Sequence, residues 1–285
     1  MYQRRAILKL CIGVSLFFNL CYAQKNTATA YITSGDQMQL LQKQLLPLSQ
    51  TQSIATIHPI IIDTREKFQT IDGFGFTLTG GSALLIQQMD PKARRALLQE
   101  LFGQSTNAIS VSYLRLSVGA SDLSESVFSY NDLAEGLTDT LMQHFNLSRD
   151  TIYLVPLIKQ ILAINPSIKF MATPWSPPTW MKTNKNSMGG SLIPQYYRAY
   201  ARYLVKYIQA MKANGISIDA LTIQNEPQHG GNNPSMLMTA DEQALFIKEH
   251  LGPIFFQQKI RTKIVIWDHN CDHPEYVTDI LKDPD

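Results

Sequence analysis

The chain has 285 residues, 45% of them hydrophobic and 17% charged, with a formal net charge of +2. That length supports a substantial core in one large α/β domain or two small ones. So small a net charge argues against a nucleic-acid partner.

The chain opens on a basic start, Arg4, Arg5 and Lys9, followed by an apolar run from Ile7 to Leu20. The run is too short for a spanning helix, so no stable membrane span is expected. Cys21-Tyr22-Ala23 places small residues where a signal peptidase inspects them. Residues 1–23 therefore read as a secretory signal cleaved before Gln24, and the protein as exported to the periplasm or the medium. Lipoprotein anchoring on Cys21 is disfavoured, because Leu20 is bulky where a small residue is wanted. Cleavage removes three basic residues and leaves 22 basic against 23 acidic ones, a net of −1. It also removes Cys11 and Cys21, so Cys271 has no partner for an internal disulfide and the mature chain must rely on its core.

Residues 24–65 are mixed and polar. Ala28–Thr33 reads as a strand, and Ile54, Ile57 and Ile60–Ile62 suggest a second. With no helical pattern between them, these belong to an accessory β-layer. From residue 66 onward the pattern changes. Phe68 to Phe76 reads as a strand entering a glycine-punctuated turn, without the third glycine of a dinucleotide site. Asp90-Pro91 opens a helix, with Asp as N-cap, Pro in the first turn and Gly103 past the end. Val111–Ser117 is the next strand. It carries Arg115 within an apolar run, which requires an anionic partner if buried.

Thr151–Ile164 is predicted helical, Ile168–Ala172 a strand, and Pro194–Asn214 a long helix. That helix has Tyr196, Tyr200, Tyr203 and Tyr207 at core-facing spacing. Residues 218–223 form a short apolar strand running into Asn225-Glu226-Pro227. A carboxylate where an apolar strand ends is costly to bury unless it is paired, protonated or used. Thr239 and Glu242 make a capping box for another helix. Ile264–Trp267 is a strand ending at Asp268, and a last helix starts near Pro274. The alternation of strand and helix predicts a parallel α/β barrel. About five units are present where a closed barrel needs eight.

Three chemistries compete for these residues. Asp268, His269, Cys271, Asp272 and His273 have the types of a zinc site, but their spacing does not suit one and Pro274 follows at once, so no metal is expected. There is no Gly-x-Ser-x-Gly elbow for a serine triad. Glycoside hydrolysis, which needs one protonated acid and one carboxylate, fits better. Glu226 is the candidate acid, its pKa tuned upward. Asn225 is a candidate for holding a sugar hydroxyl. Trp175 and Trp180 are candidate cleft walls, since indole faces suit the apolar faces of sugar rings.

Four stretches then carry a resemblance. They are Ile71-Asp72-Gly73-Phe74-Gly75, Arg115 with Asp122, Ser176-Pro177-Pro178-Thr179-Trp180-Met181-Lys182-Thr183-Asn184, and Asn225-Glu226-Pro227. In this order they resemble glycoside hydrolase family 30, the glucosylceramidase-like retaining β-glycosidases, over roughly residues 60–285. The resemblance implies a (β/α)8 TIM barrel with a side β-sandwich. Residues 24–65 would supply strands of the sandwich, and residues 66–285 about five of the eight barrel units. It further implies Glu226 as general acid/base, with Asn225, Asp122, Trp175 and Trp180 against the substrate and Arg115 and Asp268 supporting.

The family's nucleophile is a Glu on the seventh strand. This chain is expected to be an N-terminal portion that lacks it, inactive alone, and needing no cofactor. The expected function is a β-glucosidase of glucosylceramidase type. The alternatives are an endo-β-1,6-glucanase, a xylan-active relative, or an inactive sugar-binding barrel fragment. The loop Gln228–Ser235 differs from that of animal glucosylceramidases and leaves the β-glucoside or β-glucan substrate open. The sequence does not fix the oligomeric state.

Overall fold

The structure is a computed structural model that describes residues 27–48, 61–105 and 108–283. Residues 1–23, expected to be a secretory signal, lie outside the described residues. The chain divides into two compact units, Met1–Gln69 and Thr70–Asp285.

In the first unit, β1 (Thr27–Ile32) pairs antiparallel with β2 (Gln42–Pro47), in a register running from Thr27 opposite Pro47 to Ile32 opposite Gln42. The first strand lies where the sequence places it; most of the second expected strand falls on residues that are not described. Ile54, Ile57 and Ile60 lie outside the described residues, and Ile61 and Ile62 are in no strand. The partner of β1 is the leucine-bearing stretch before Pro47. Ser34, Gly35 and Asp36 turn the chain back directly after β1, with Asp36 accepting the Met38 N–H at 3.0 Å. Pro47 falls at the end of the ladder, where its missing N–H is tolerated.

The second unit is a partial TIM barrel. Five parallel strands lie in the order β3 (Gly75–Leu78), β4 (Tyr113–Val118), β5 (Lys169–Pro174), β6 (Ala220–Thr222) and β7 (Lys263–Val265). Helices α1 (Gly80–Gln88) and α2 (Pro91–Phe102) follow β3, α3 (Leu154–Ile164) follows β4, and α4 (Tyr197–Ala213) follows β5. After β6 come α5 (Ala240–Phe246), a π-helical turn at Ile247–Leu251 and α6 (Gly252–Gln257); α7 (Pro274–Ile280) follows β7.

The strand predicted over residues 68–76 shrinks to Gly75–Leu78. A strand exists where a neighbour offers a ladder, and β4 pairs with it from Tyr113 to Leu116. Phe68, Ile71 and Phe74 before it are exposed. Gly75 itself is required, because a Cβ there would stand 1.4 Å from the Tyr113 carbonyl oxygen. Its place in the Gly-x-Gly pair is thus explained by strand–strand approach.

The capping expectations hold. Asp90 accepts the Lys92 and Ala93 N–H groups at the start of α2, and Thr239 with Glu242 forms the capping box of α5. Helix α1 has no strong apolar face, which is why sequence periodicity missed it; Thr79 caps it by accepting the Ser82 N–H.

Alternation along β4 sends Leu114 and Leu116 into the layer between sheet and helices, where α3 and α4 bury Leu157, Ile158, Tyr200 and Leu204. The tyrosine stripe of α4 is core. Tyr200, Tyr203 and Tyr207 are fully buried, and Tyr130 from the long connection after β4 stacks on Tyr203 and Tyr207 at 6.0 and 5.7 Å between centroids.

That connection also buries a carboxyl. The Tyr130 hydroxyl donates to Asp150 Oδ2 at 2.5 Å. Burial pushes Asp150 up to about 7, against the opposing pull of this hydrogen bond. A carboxyl raised in the folded state contributes stability below its unfolded value, near 4, and loses it as pH rises through about 7. Unfolding of the wild type should therefore become easier between pH ~4 and ~7 relative to Asp150→Asn, by on the order of 4 kcal/mol across the window. Urea denaturation of both proteins at several pH values measures it. Parallel pH dependences would show that Asp150 titrates normally.

Candidate functional site

The ends of the parallel strands converge on Glu226. In a barrel this C-terminal rim is where chemistry sits. Glu226 stands four residues past β6, the fourth parallel strand, and its backbone is in the left-handed region at φ 44°. For a non-glycine residue that conformation costs about 1–3 kcal/mol and persists when its surroundings over-determine it. Here they do. The Glu226 N–H donates to the Asp268 carbonyl at 2.9 Å, and its own carbonyl accepts the His229 N–H at 2.8 Å. These bonds fix the backbone; the half-buried carboxylate accepts Asn232 Nδ2 at its Oε2 at 2.9 Å.

Beneath it lies a polar cluster inside the curve of the sheet. Arg115 Nη2 on β4 donates to Asp268 Oδ2 at 2.9 Å and to Asn225 Oδ1 at 2.6 Å. Thr222 on β6 donates its hydroxyl to the same Asp268 oxygen at 2.8 Å. In a flat sheet three strand spacings would put β7 roughly 14 Å from β4, beyond an arginine's reach. The Arg115–Asp268 bond therefore requires the curl of a barrel wall. The anionic partner that Arg115 needs is Asp268, with side chains 19% and 17% exposed.

Asn225 is buried, with its N–H bonded to the Pro174 carbonyl at 2.8 Å. Gln224 donates to the Trp175 and Asn225 carbonyls at 2.7 and 3.0 Å. Together these bonds tie the chain after β6 to the chain after β5.

The tryptophans are packed more tightly than the sequence reading expects. Trp175 is 4% exposed, and the Arg115 guanidinium lies over its ring at 4.5 Å. Trp180 is partly buried, donates its indole N–H to the Asn131 carbonyl and Oδ1 at 3.1 Å each, and meets Tyr196 edge-on. Each ring thus has a protein neighbour against it, Arg115 at Trp175 and Tyr196 at Trp180. Asp122, four residues past β4, is exposed and makes no hydrogen bond among the described residues. The structure thus brings Glu226, Asn225, Arg115, Asp268 and Trp175 into one cluster, with Trp180 in an adjoining layer and Asp122 apart from it.

Among the described residues no group of three or more His, Cys, Asp or Glu side chains could hold a metal ion. In the stretch after β7, Asp268 is held by Arg115, His273 Nδ1 pairs with Glu275 at 2.7 Å, and Cys271 is exposed.

Three residues of the cluster escaped the sequence reading. Thr222 is a hydroxyl in an apolar three-residue strand, a signal too weak to use alone. Asn232 lies in a loop that sequence marks as variable without giving it a partner. Lys182 sits inside the Ser-Pro-Pro-Thr-Trp-Met-Lys stretch. It is 0% exposed, and its ammonium meets Ser176 Oγ, the Ser187 carbonyl and the Ser235 carbonyl at 3.0, 2.9 and 2.6 Å. Burial pulls it down to about 7. Its three acceptors match the three donors of the charged form.

The profile of the glycosyl hydrolase family 30 TIM-barrel domain matches residues 71–285. The chain belongs to glycosyl hydrolase family 30. An endo-1,6-beta-D-glucanase of Neurospora crassa is 34% identical over 262 residues, which cover 88% of this chain and 54% of that protein. The lysosomal acid glucosylceramidase of Mus musculus is 31% identical over 238 residues, covering 79% of this chain and 45% of that protein. A solved endo-beta1,6-glucanase superposes with a TM-score of 0.79 at 36% identity, over 90% of this chain and 56% of the other. The family 30 chain thus spans about half the length of the curated relatives it matches. No helix among its described residues is long and apolar enough to cross a membrane.

Proposed function

We propose that this family 30 member is the acid/base-bearing part of a retaining β-glycosidase whose substrate is a β-1,6-linked glucan. The observation that carries the catalytic reading is Glu226. It is held in a left-handed backbone by the Asp268 and His229 main chains, at the end of the fourth barrel strand. A residue whose strained backbone is anchored twice at a barrel rim suits a group that must meet one oxygen of the scissile bond. Glu226 would protonate the leaving oxygen while a second carboxylate attacks the anomeric carbon. It would then take a proton from the water that releases the sugar. The two carboxyl groups of such a site stand ~5–5.5 Å apart. The resemblance assigns the attacking one to the seventh barrel strand; the barrel strands among the described residues are five. Asn225, oriented by Arg115, would bond a hydroxyl of the bound sugar.

The substrate choice rests on similarity. Three endo-1,6-glucanases among the curated relatives are 32–34% identical, and the solved one is 36% identical. A glucosylceramide-type substrate is the second reading, favoured by the mouse relative at 31%. Full-length protein offered a linear β-1,6-glucan and detergent-dispersed glucosylceramide distinguishes them. Faster release of sugar from the lipid would reverse the preference.

From the basic start and the apolar run Ile7–Leu20 we also propose that the protein is exported. Mature protein should begin at Gln24, and N-terminal sequencing of exported material checks this. Met1 at the terminus of that material would refute it.

A further inference from the structure

From the loop after β6 we infer that Asn232 is a positioning residue for Glu226, and that Lys182 is the clamp that holds its loop in place. This rests on the acid/base reading of Glu226 and extends it to a residue that makes no part of the strand-end motif. Asn232 Nδ2 donates to Glu226 Oε2 at 2.9 Å. This is the side-chain bond that fixes which way the carboxyl faces; the two main-chain bonds at Glu226 fix its backbone and leave the side chain free to turn.

A loop residue can aim a carboxyl if the loop is itself held, and this one is sewn to its neighbour. The Ser235 N–H donates to the Ser187 carbonyl at 2.9 Å, the Gly189 N–H to Ser235 Oγ at 2.9 Å, and the Leu237 N–H to the Gly190 carbonyl at 2.8 Å. Ser187 Oγ donates to Asn233 Oδ1 at 2.6 Å, next to Asn232. Lys182 lies under this seam, fully buried, and its ammonium bonds the Ser187 and Ser235 carbonyls from both sides of it. A buried ammonium with three oxygen acceptors makes an anchor that a neutral side chain of the same length cannot replace.

The chemistry gives the arrangement a sign. An amide N–H donated to a carboxylate favours its ionised form, and a second carboxylate in the same place disfavours it. The main-chain bonds of Glu226 to Asp268 and His229, and the Arg115–Asp268 pair below them, do not involve Asn232.

The test uses the full-length protein and aryl β-glycosides whose leaving groups differ in acidity. Asn232→Ala should move the alkaline limb of kcat/KM upward, and the near-isosteric Asn232→Asp should move it further. Asn232→Ala should slow substrates with poor leaving groups about tenfold while barely changing those with good ones, because protonation matters to the former. KM should change little. Lys182→Met should raise amide hydrogen exchange in residues 183–191 and 228–238 together.

Unchanged alkaline limbs in both Asn232 variants, or equal losses across leaving groups, would overturn the inference. Glu226→Gln serves as the control that separates the two readings. If it is fully active on poor leaving groups, the acid/base assignment fails. If it is inactive on them while Asn232→Asp behaves as wild type, the assignment stands and the positioning role of Asn232 fails.

Discussion

Replacing Glu226 by Gln in the full-length enzyme is expected to lower turnover of unactivated β-glucosidic bonds by roughly 10²–10⁴. The substitution keeps the side chain's shape and its ability to accept the Asn232 N–H, which the structure places at 2.9 Å. It removes the titrating proton alone. Two signatures should accompany the loss. Aryl glycosides with acidic leaving groups need little protonation, so formation of the glycosyl-enzyme intermediate should survive on them. Its breakdown, which needs Glu226 as base, should then limit the rate. A small anion such as azide needs no base and should restore turnover, with the product a β-glycosyl azide. Equal loss on every substrate, without azide rescue, would place Glu226 in a binding role.

The second large effect is expected at Arg115. Arg115→Met removes the donor to Asp268 and Asn225 and the cation over Trp175. Two consequences of different origin follow. Breaking a buried pair costs about 3–5 kcal/mol. This pair is 17–19% exposed, so water lowers that figure to the order of 1–3 kcal/mol. Losing the orientation of Asn225 and of the strand end beside Glu226 is a matter of geometry. A misplacement of about 1 Å can cost 10²-fold in rate.

The double variant Arg115→Met/Asp268→Asn separates the two. Neutralising Asp268 removes the uncompensated charge, so thermal stability should largely return. Nothing in it restores the bond to Asn225, so kcat/KM should stay near 10²-fold down. Recovery of both together would make the cluster a stability element with no part in catalysis. Arg115→Lys is not a conservative control, since an ammonium neither stacks flat on indole nor offers the guanidinium's fixed fork.

Much of this site was legible without coordinates because its backbone is built by local rules. Asn225-Glu226-Pro227 ends an apolar strand, and an acid there must sit at a rim. The requirement that Arg115 find an anion was also legible. Which anion was not. Asp268 lies 153 positions away and Asn225 lies 110 away. Their meeting depends on strand register and sheet curvature, which no window of residues encodes. The tryptophans show a further limit. Aromatic residues among prolines suggested an open cleft wall, but Trp175 is covered by Arg115, and the indole N–H of Trp180 is taken by Asn131. Sequence reports that a ring is present; its neighbours decide which face is free.

The N-terminal unit shows the same limit. β1 is legible from its own alternation; its partner, Gln42–Pro47, is not, because antiparallel pairing is decided by the turn between strands.

The order of the five parallel strands, the caps of α2 and α5, the tyrosine core of α4 and the place of Glu226 at a strand end follow from periodicity and capping chemistry. Those act over a few residues, and the sequence alone determined them. The left-handed backbone of Glu226, the three-strand reach of Arg115, the burial of Lys182 and the bond from Asn232 to the acid were decided by the tertiary structure. Each is a contact between chain segments joined by the curvature of the sheet, and that curvature exists after the strands have packed.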